Sequence, residues 1–143
     1  MESLIALVSV TSAAFMAGVL WIIQVVHYPL LGEVPVKSII EISRRHQNLI
    51  IRVVGPVMVI EAASSAATLL VVPSSALPIA FINLFFLAVA VYVTMFHAVP
   101  LHAKIGRGNS ELIPGLIKVN WIRTAAWSIR IPLGVLLVTQ INS

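Results

Sequence analysis

From Ser3 to Gly32 the chain runs thirty residues without a formal charge, and no other feature limits its possible folds so strongly. An α-helix rises 1.5 Å per residue, so about 20 apolar residues cross the roughly 30 Å hydrocarbon core of a bilayer. Inside lipid each backbone N–H and C=O must be satisfied within the protein, which leaves helices or closed barrels. Long apolar runs without period-two alternation point to helices. Three further runs follow, and the sequence predicts spans at about 4–28, 49–72, 79–97 and 117–138. Pro29 and Pro100 are read as stopping the first and third. "VPSSALP" (72–78) reads as a tight, uncharged turn, and the fourth span carries Arg123 and Arg130. The predicted fold is an all-α membrane protein: one domain over residues 1–143, with four transmembrane helices in an up-down-up-down bundle.

Composition agrees. Only 10% of residues are charged, against about a quarter in an average soluble domain. The absence of cysteine excludes disulfides, thiolate metal sites and cysteine nucleophiles. Aspartate is absent too, so the acids are Glu2, Glu33, Glu41, Glu61 and Glu111. The net charge of +4 marks orientation rather than nucleic-acid binding. Lys37, Arg44, Arg45, Lys104 and Arg107 lie in the first and third connections, and Arg52 and Lys118 just beyond them. Positive-inside then predicts connections 32–47 and 101–116 in the cytoplasm and both termini outside a plasma (inner) membrane. The chain begins Met-Glu, without the basic start of a signal peptide, so the first span is expected to be retained. The expected partners are the lipid bilayer and a lipophilic small molecule, with a homo-oligomer left open.

Projection at about 100° per residue collects polar or small residues on one stripe per span. They are Ala13, Ala17, Trp21, Gln24 and Tyr28 with His27 beside them; Gln47, Met58, Glu61, Ser65 and Thr68 with His46 at the edge; Asn83, Phe86, Ala90, Thr94 and His97; and Asn120, Arg123, Trp127, Arg130 and Gly134. Polar groups are costly in lipid, so the stripes should face one another. Glu61 and Arg130 fall at matching depth in antiparallel spans and are expected to pair. Such a pair either fixes helix register or makes Glu61 a proton carrier. His27, His46 and His97, and with them His102, fall at the basic end together with Asn120 and Arg123. They are expected to converge with Gln24 on one cavity open to the cytoplasm.

Several chemistries fit such a cavity. His27, His46, His97 and His102 are candidate ligands for zinc, copper or iron, and bis-histidine haem is a further option. HExxH, HxxH and ExxH pairs are absent, which argues against zincin and di-iron sites. The bland alternative is that these histidines are interfacial. His27, His46, Glu61, Asn120, Arg123 and Arg130 are the candidate catalytic groups. Gln24, Tyr28, Thr94 and Trp127 are candidate substrate contacts. Trp21 and Trp121 read as interfacial anchors.

The stretches "QVVHYPLL", "RRHQNLIIRVVGPVMVIE", "VPLHAKIGRG" and "NWIRTAAWSIR" resemble a group of small bacterial four-helix membrane proteins that is distantly similar to anthrone-oxygenase-like proteins. The resemblance covers most of residues 17–134, and "NWIRTAAWSIR" is its most specific part. By position it singles out Gln24, His27, Tyr28, His46, Pro56, Glu61, His102, Asn120, Trp121, Arg123, Trp127 and Arg130. It implies cofactor-free oxygenation of a polycyclic phenol. Two function classes stay open: an oxidoreductase or oxygenase acting on a lipophilic aromatic or quinone-like molecule, and a non-catalytic membrane subunit or binding module whose stripes specify packing.

Overall fold

A computed structural model describes residues 1–142. Four long helices make up the molecule: α1 Glu2–Gly32, α2 Val36–Val71, α3 Ser74–Ile105 and α4 Ser110–Ile141. Each is long and apolar enough to cross a bilayer, and α4, which carries Arg123 and Arg130, is the least apolar. The chain is an integral membrane protein built as a helical bundle. Large apolar side chains such as Leu70, Phe85 and Val59 cover its outer surface, as lipid requires. The 36 residues of α2 measure about 54 Å, more than the bilayer core. Its first turns, with Lys37, Glu41, Arg44 and Arg45 exposed, extend beyond the apolar segment at what is here called the basic end.

The helices pack unevenly around the bundle. α1 lies close against both α2 and α4, and α3 close against α4, whereas the seam between α2 and α3 is much thinner. Close approach of α1 and α4 depends on Gly134. A Cβ there would stand 2.6 Å from Cγ2 of Val10, which no unshifted structure tolerates.

Pro29 and Pro100 do not stop their helices. In each case one π turn precedes the proline: Ile23–His27 in α1 and Thr94–Ala98 in α3. Proline lacks an N–H and its ring clashes with the carbonyl four residues back. The wider turn absorbs that clash: Tyr28 N–H donates to the Ile23 carbonyl and Val99 N–H to the Thr94 carbonyl, both five residues back. The helices therefore continue to Gly32 and Ile105 instead of ending near residues 28 and 97.

Each π turn inserts one residue into the helix, so the inward face shifts by one position after it. In α3 the core accordingly passes from Ala90 to Thr94, then to Ala98 and Ile105, and His97 turns outward. In α1 it runs through Met16, Leu20, Gln24, Tyr28 and Leu31, while Trp21 is 45% exposed. Uniform projection had placed His97 and Trp21 inside. α2 runs unbroken through Pro56, and α4 through Pro132.

Candidate functional site

The polar interior forms two layers. The deeper one draws a side chain from every helix. Glu61 of α2 and Arg130 of α4, both fully buried, form an ion pair between Oε1 and Nη1. The remaining valences are filled. Trp127 Nε1 donates to both Glu61 carboxylate oxygens, at 2.9 and 3.1 Å. Arg130 Nε donates to Asn83 Oδ1 of α3, and Nη2 to Ser65 Oγ, each at 2.9 Å. Ser65 Oγ is 2.9 Å from Ser9 Oγ of α1, and Asn83 Nδ2 returns to the Arg130 carbonyl at 3.1 Å. A buried ion pair repays its desolvation only with this kind of complete satisfaction. None of these residues lines the cavity described below.

Toward the basic end lies the second layer. Asn120 Nδ2 donates to Gln24 Oε1 at 2.7 Å, and its Oδ1 accepts from Arg123 Nη1 at 3.1 Å. Arg123 Nε donates to Thr94 Oγ1 at 3.0 Å. Gln24 and Thr94 both belong to π turns, so the two bulges present their polar side chains to α4. The Trp127 ring faces Arg123 with 6.0 Å from guanidinium to ring centroid, which connects the two layers. Trp127 itself is 0% exposed and contributes no cavity wall. Its expected role as a substrate contact is replaced by a hydrogen bond to Glu61.

Beside this layer is a cavity of about 340 Å³, at the lower end of the roughly 300–1,000 Å³ typical of small-molecule sites. One wall is apolar: Ile50, Val54 and Met58 of α2 with Leu20 and Ile23 of α1. Its polar end holds Tyr28, His46, Gln47, Thr94, His102 and Arg123. Ile51 of α2 and Met95 and Val99 of α3 form the rim and are 58%, 54% and 49% exposed. All three are apolar and flank the thin seam between α2 and α3. The mouth thus opens sideways between these helices, which corrects the expected opening to the cytoplasm.

Three of the four histidines gather here. His27 and His46 stack with centroids 4.0 Å apart and planes at 23°; His46 and His102 follow at 5.7 Å and 30°. The Tyr28 hydroxyl lies 2.8 Å from His102 Nε2. His97 is exposed and its ring meets only Tyr92, at 5.8 Å, so it does not join them. The stack is a poor metal site for a geometric reason. A ligating lone pair lies in the ring plane, and nearly parallel planes do not meet at a shared point. Among the described residues no three His, Cys, Asp or Glu side chains are grouped to hold a metal. The residues present therefore do not fit the expected zinc, copper or iron centre on His27, His46, His97 and His102.

His27 Nε2 and His102 Nδ1 are buried and have no hydrogen-bond partner. Gln47 braces the site from below: its Nε2 donates to Ser43 and, at 3.0 Å, to the His102 carbonyl. Gly106 is held to the same corner, since a Cβ there would meet Gln47 Nε2 at 3.1 Å.

Of the residues singled out from the sequence, Tyr28, His46, Thr94, His102 and Arg123 line the cavity, with His27 stacked behind His46. Gln24 and Asn120 stand behind Arg123 as its support. Glu61, Trp127 and Arg130 belong to the deeper layer. The sequence reading put Gln47 and Met58 on the inner stripe of their span without naming them as site residues, and it missed Ile50 and Val54. Residues 47, 50, 54, 58 and 61 do continue one helical face at spacings of three and four, and that signal could have found them.

No family model, curated protein or solved structure matches this chain.

Proposed function

We propose that the cavity between α2 and α3 takes a lipophilic aromatic molecule, phenolic or quinone-like, and that the protein is a small membrane oxygenase or oxidoreductase acting on it. The observation that carries this reading is the pairing of an apolar wall with a polar end on one cavity whose mouth faces lipid. Polar groups at this position would be unfavourable in a bundle that only packs, because packing is served better by a closed network. The resemblance to anthrone-oxygenase-like proteins adds the reaction class. There the activated CH2 of the substrate becomes C=O, one oxygen atom of O2 enters the carbonyl and the other leaves as water. Tyr28, His102 and Arg123 are the groups placed to orient the phenolic oxygen and stabilise its charge. The histidine geometry does not suit a metal, and the resemblance implies a cofactor-free reaction.

Oxygen uptake by protein in nanodiscs, with dihydroxyanthrone as substrate, tests it against protein-free nanodiscs. Uptake above that background is expected, unaffected by chelators and lost in His102→Ala. Binding without uptake would reduce the protein to a binding module, and absence of both would remove the reading. The basic end is assigned to the cytoplasm, with both termini outside. A reporter fused after Ser143 that is active only in the cytoplasm should be silent.

A further inference from the structure

Arg123 is 8% exposed and has no counter-ion. Among the described residues Glu61–Arg130 is the single ion pair, aspartate is absent, and Glu2, Glu33, Glu41 and Glu111 are all exposed. The neighbours of Arg123 are neutral: Thr94, Asn120, the Trp127 ring and the Tyr28 hydroxyl. An unpaired charge inside a bilayer span is among the most expensive arrangements a protein can hold. Here it lines a cavity.

The groups around it supply no acid. A guanidinium only donates, and the Tyr28 hydroxyl is engaged with His102 Nε2, 2.8 Å away. His102 Nδ1 is buried without a partner. The Gln47 amide nitrogen is already engaged by Ser43 and the His102 carbonyl. The polar end therefore offers a cation and lacks an acid to answer it.

We infer that the ligand is an anionic amphiphile dissolved in the bilayer, an enolate, phenolate or carboxylate, whose charged oxygen completes Arg123 while its apolar body lies along Ile50, Val54 and Met58. It enters through the lipid-facing mouth at Ile51, Met95 and Val99. This rests on the reading of the cavity as a ligand site and specifies the charge and route of what occupies it.

The test uses two ligands of one shape: a hydroxy-alkyl naphthoquinone, ionised at mildly alkaline pH, and its O-methyl ether, which cannot ionise. Binding is measured in nanodiscs of zwitterionic lipid, with empty nanodiscs subtracted. The unaltered protein should bind the enolate about tenfold or more tightly than the ether, as expected for hydrogen bonds to a charged group. Arg123→Met should erase that preference and Arg123→Lys keep part of it. Equal binding of the two ligands to the unaltered protein overturns the anion inference and leaves the lipophilic site standing. Failure of both ligands to bind overturns the site as well. A preference that survives in Arg123→Met locates the anion at surface bases and overturns the assignment. Met95→Trp should slow association without lowering thermal stability; unchanged association would overturn the sideways route.

Discussion

Arg123 and Arg130 sit two turns apart on α4, and both are buried among side chains from the other helices. Arg130 meets a carboxylate, an asparagine and a serine, and each of its three nitrogens has an acceptor. Arg123 meets only neutral groups and faces a cavity. The same side chain on the same helix thus belongs once to a closed network and once to an open one. A closed network fixes which helix faces meet. An open one holds unused donors toward a space where a ligand can supply the missing acceptor. The two layers share the Trp127 ring, with its N–H on Glu61 and its face toward Arg123, so the closed layer also holds the open one in position.

The contrast is most exposed to test at the deep pair. Glu61→Gln or Arg130→Met alone should cost about 3–5 kcal/mol, because each strands a buried charge or its donors. The double change Glu61→Leu with Arg130→Met should cost less than either. SDS titration of the protein in mixed micelles reads both quantities, and a double change as damaging as the summed singles would show that the pair is not coupled. Next in size is Gly134→Ala. Its Cβ collides with Val10 and should cost about 1–3 kcal/mol through overpacking, separating α1 from α4 at the deep layer. A neutral result there would mean the helices part easily, weakening the idea of a rigid closed layer.

At the open layer the effects on stability should be smaller. Arg123→Met deletes two hydrogen bonds but also an unpaired charge, so a net change within about 1 kcal/mol is expected. A loss as large as that of Arg130→Met would contradict the distinction drawn here. Tyr28→Phe removes the contact to His102 and should cost about 1 kcal/mol. Smallest of all, His97→Ala should alter stability by less than about 0.5 kcal/mol, and ligand binding not at all, whereas His102→Ala should weaken binding. Equal behaviour of the two histidine variants would put His97 back in the site.

Much of this molecule is legible from residues alone. The charge-free stretch from Ser3 to Gly32 and its three successors dictate four membrane helices, because lipid offers backbone groups no partner and leaves them no alternative. The pairing of Glu61 with Arg130 also follows from sequence. Depth is linear in residue number along a helix, and a bilayer contains few charges to choose among. The grouping of Gln24 with Asn120 and Arg123 is legible for the same reason.

Tertiary structure alone decided what lies beyond each π turn and how the helices close. His97 fell on the inner stripe of a uniform helix, and His102 lay beyond an assumed end at Pro100. A proline in a helical run is answered either by termination or by a wider turn that carries the helix onward. The choice depends on whether packing on neighbouring helices repays the distortion. Here Tyr28, Leu31 and Ile105 beyond the bulges are all buried, so continuation wins and the inward face shifts by one residue. The thin seam between α2 and α3 is likewise a property of four helices packed together. Sequence determined how many helices cross the bilayer and which charges lie deep within it, since both depend on position along one helix. Which histidines face inward, and where the cavity opens, depend on rotations and spacings between helices, and only the assembled bundle fixes them.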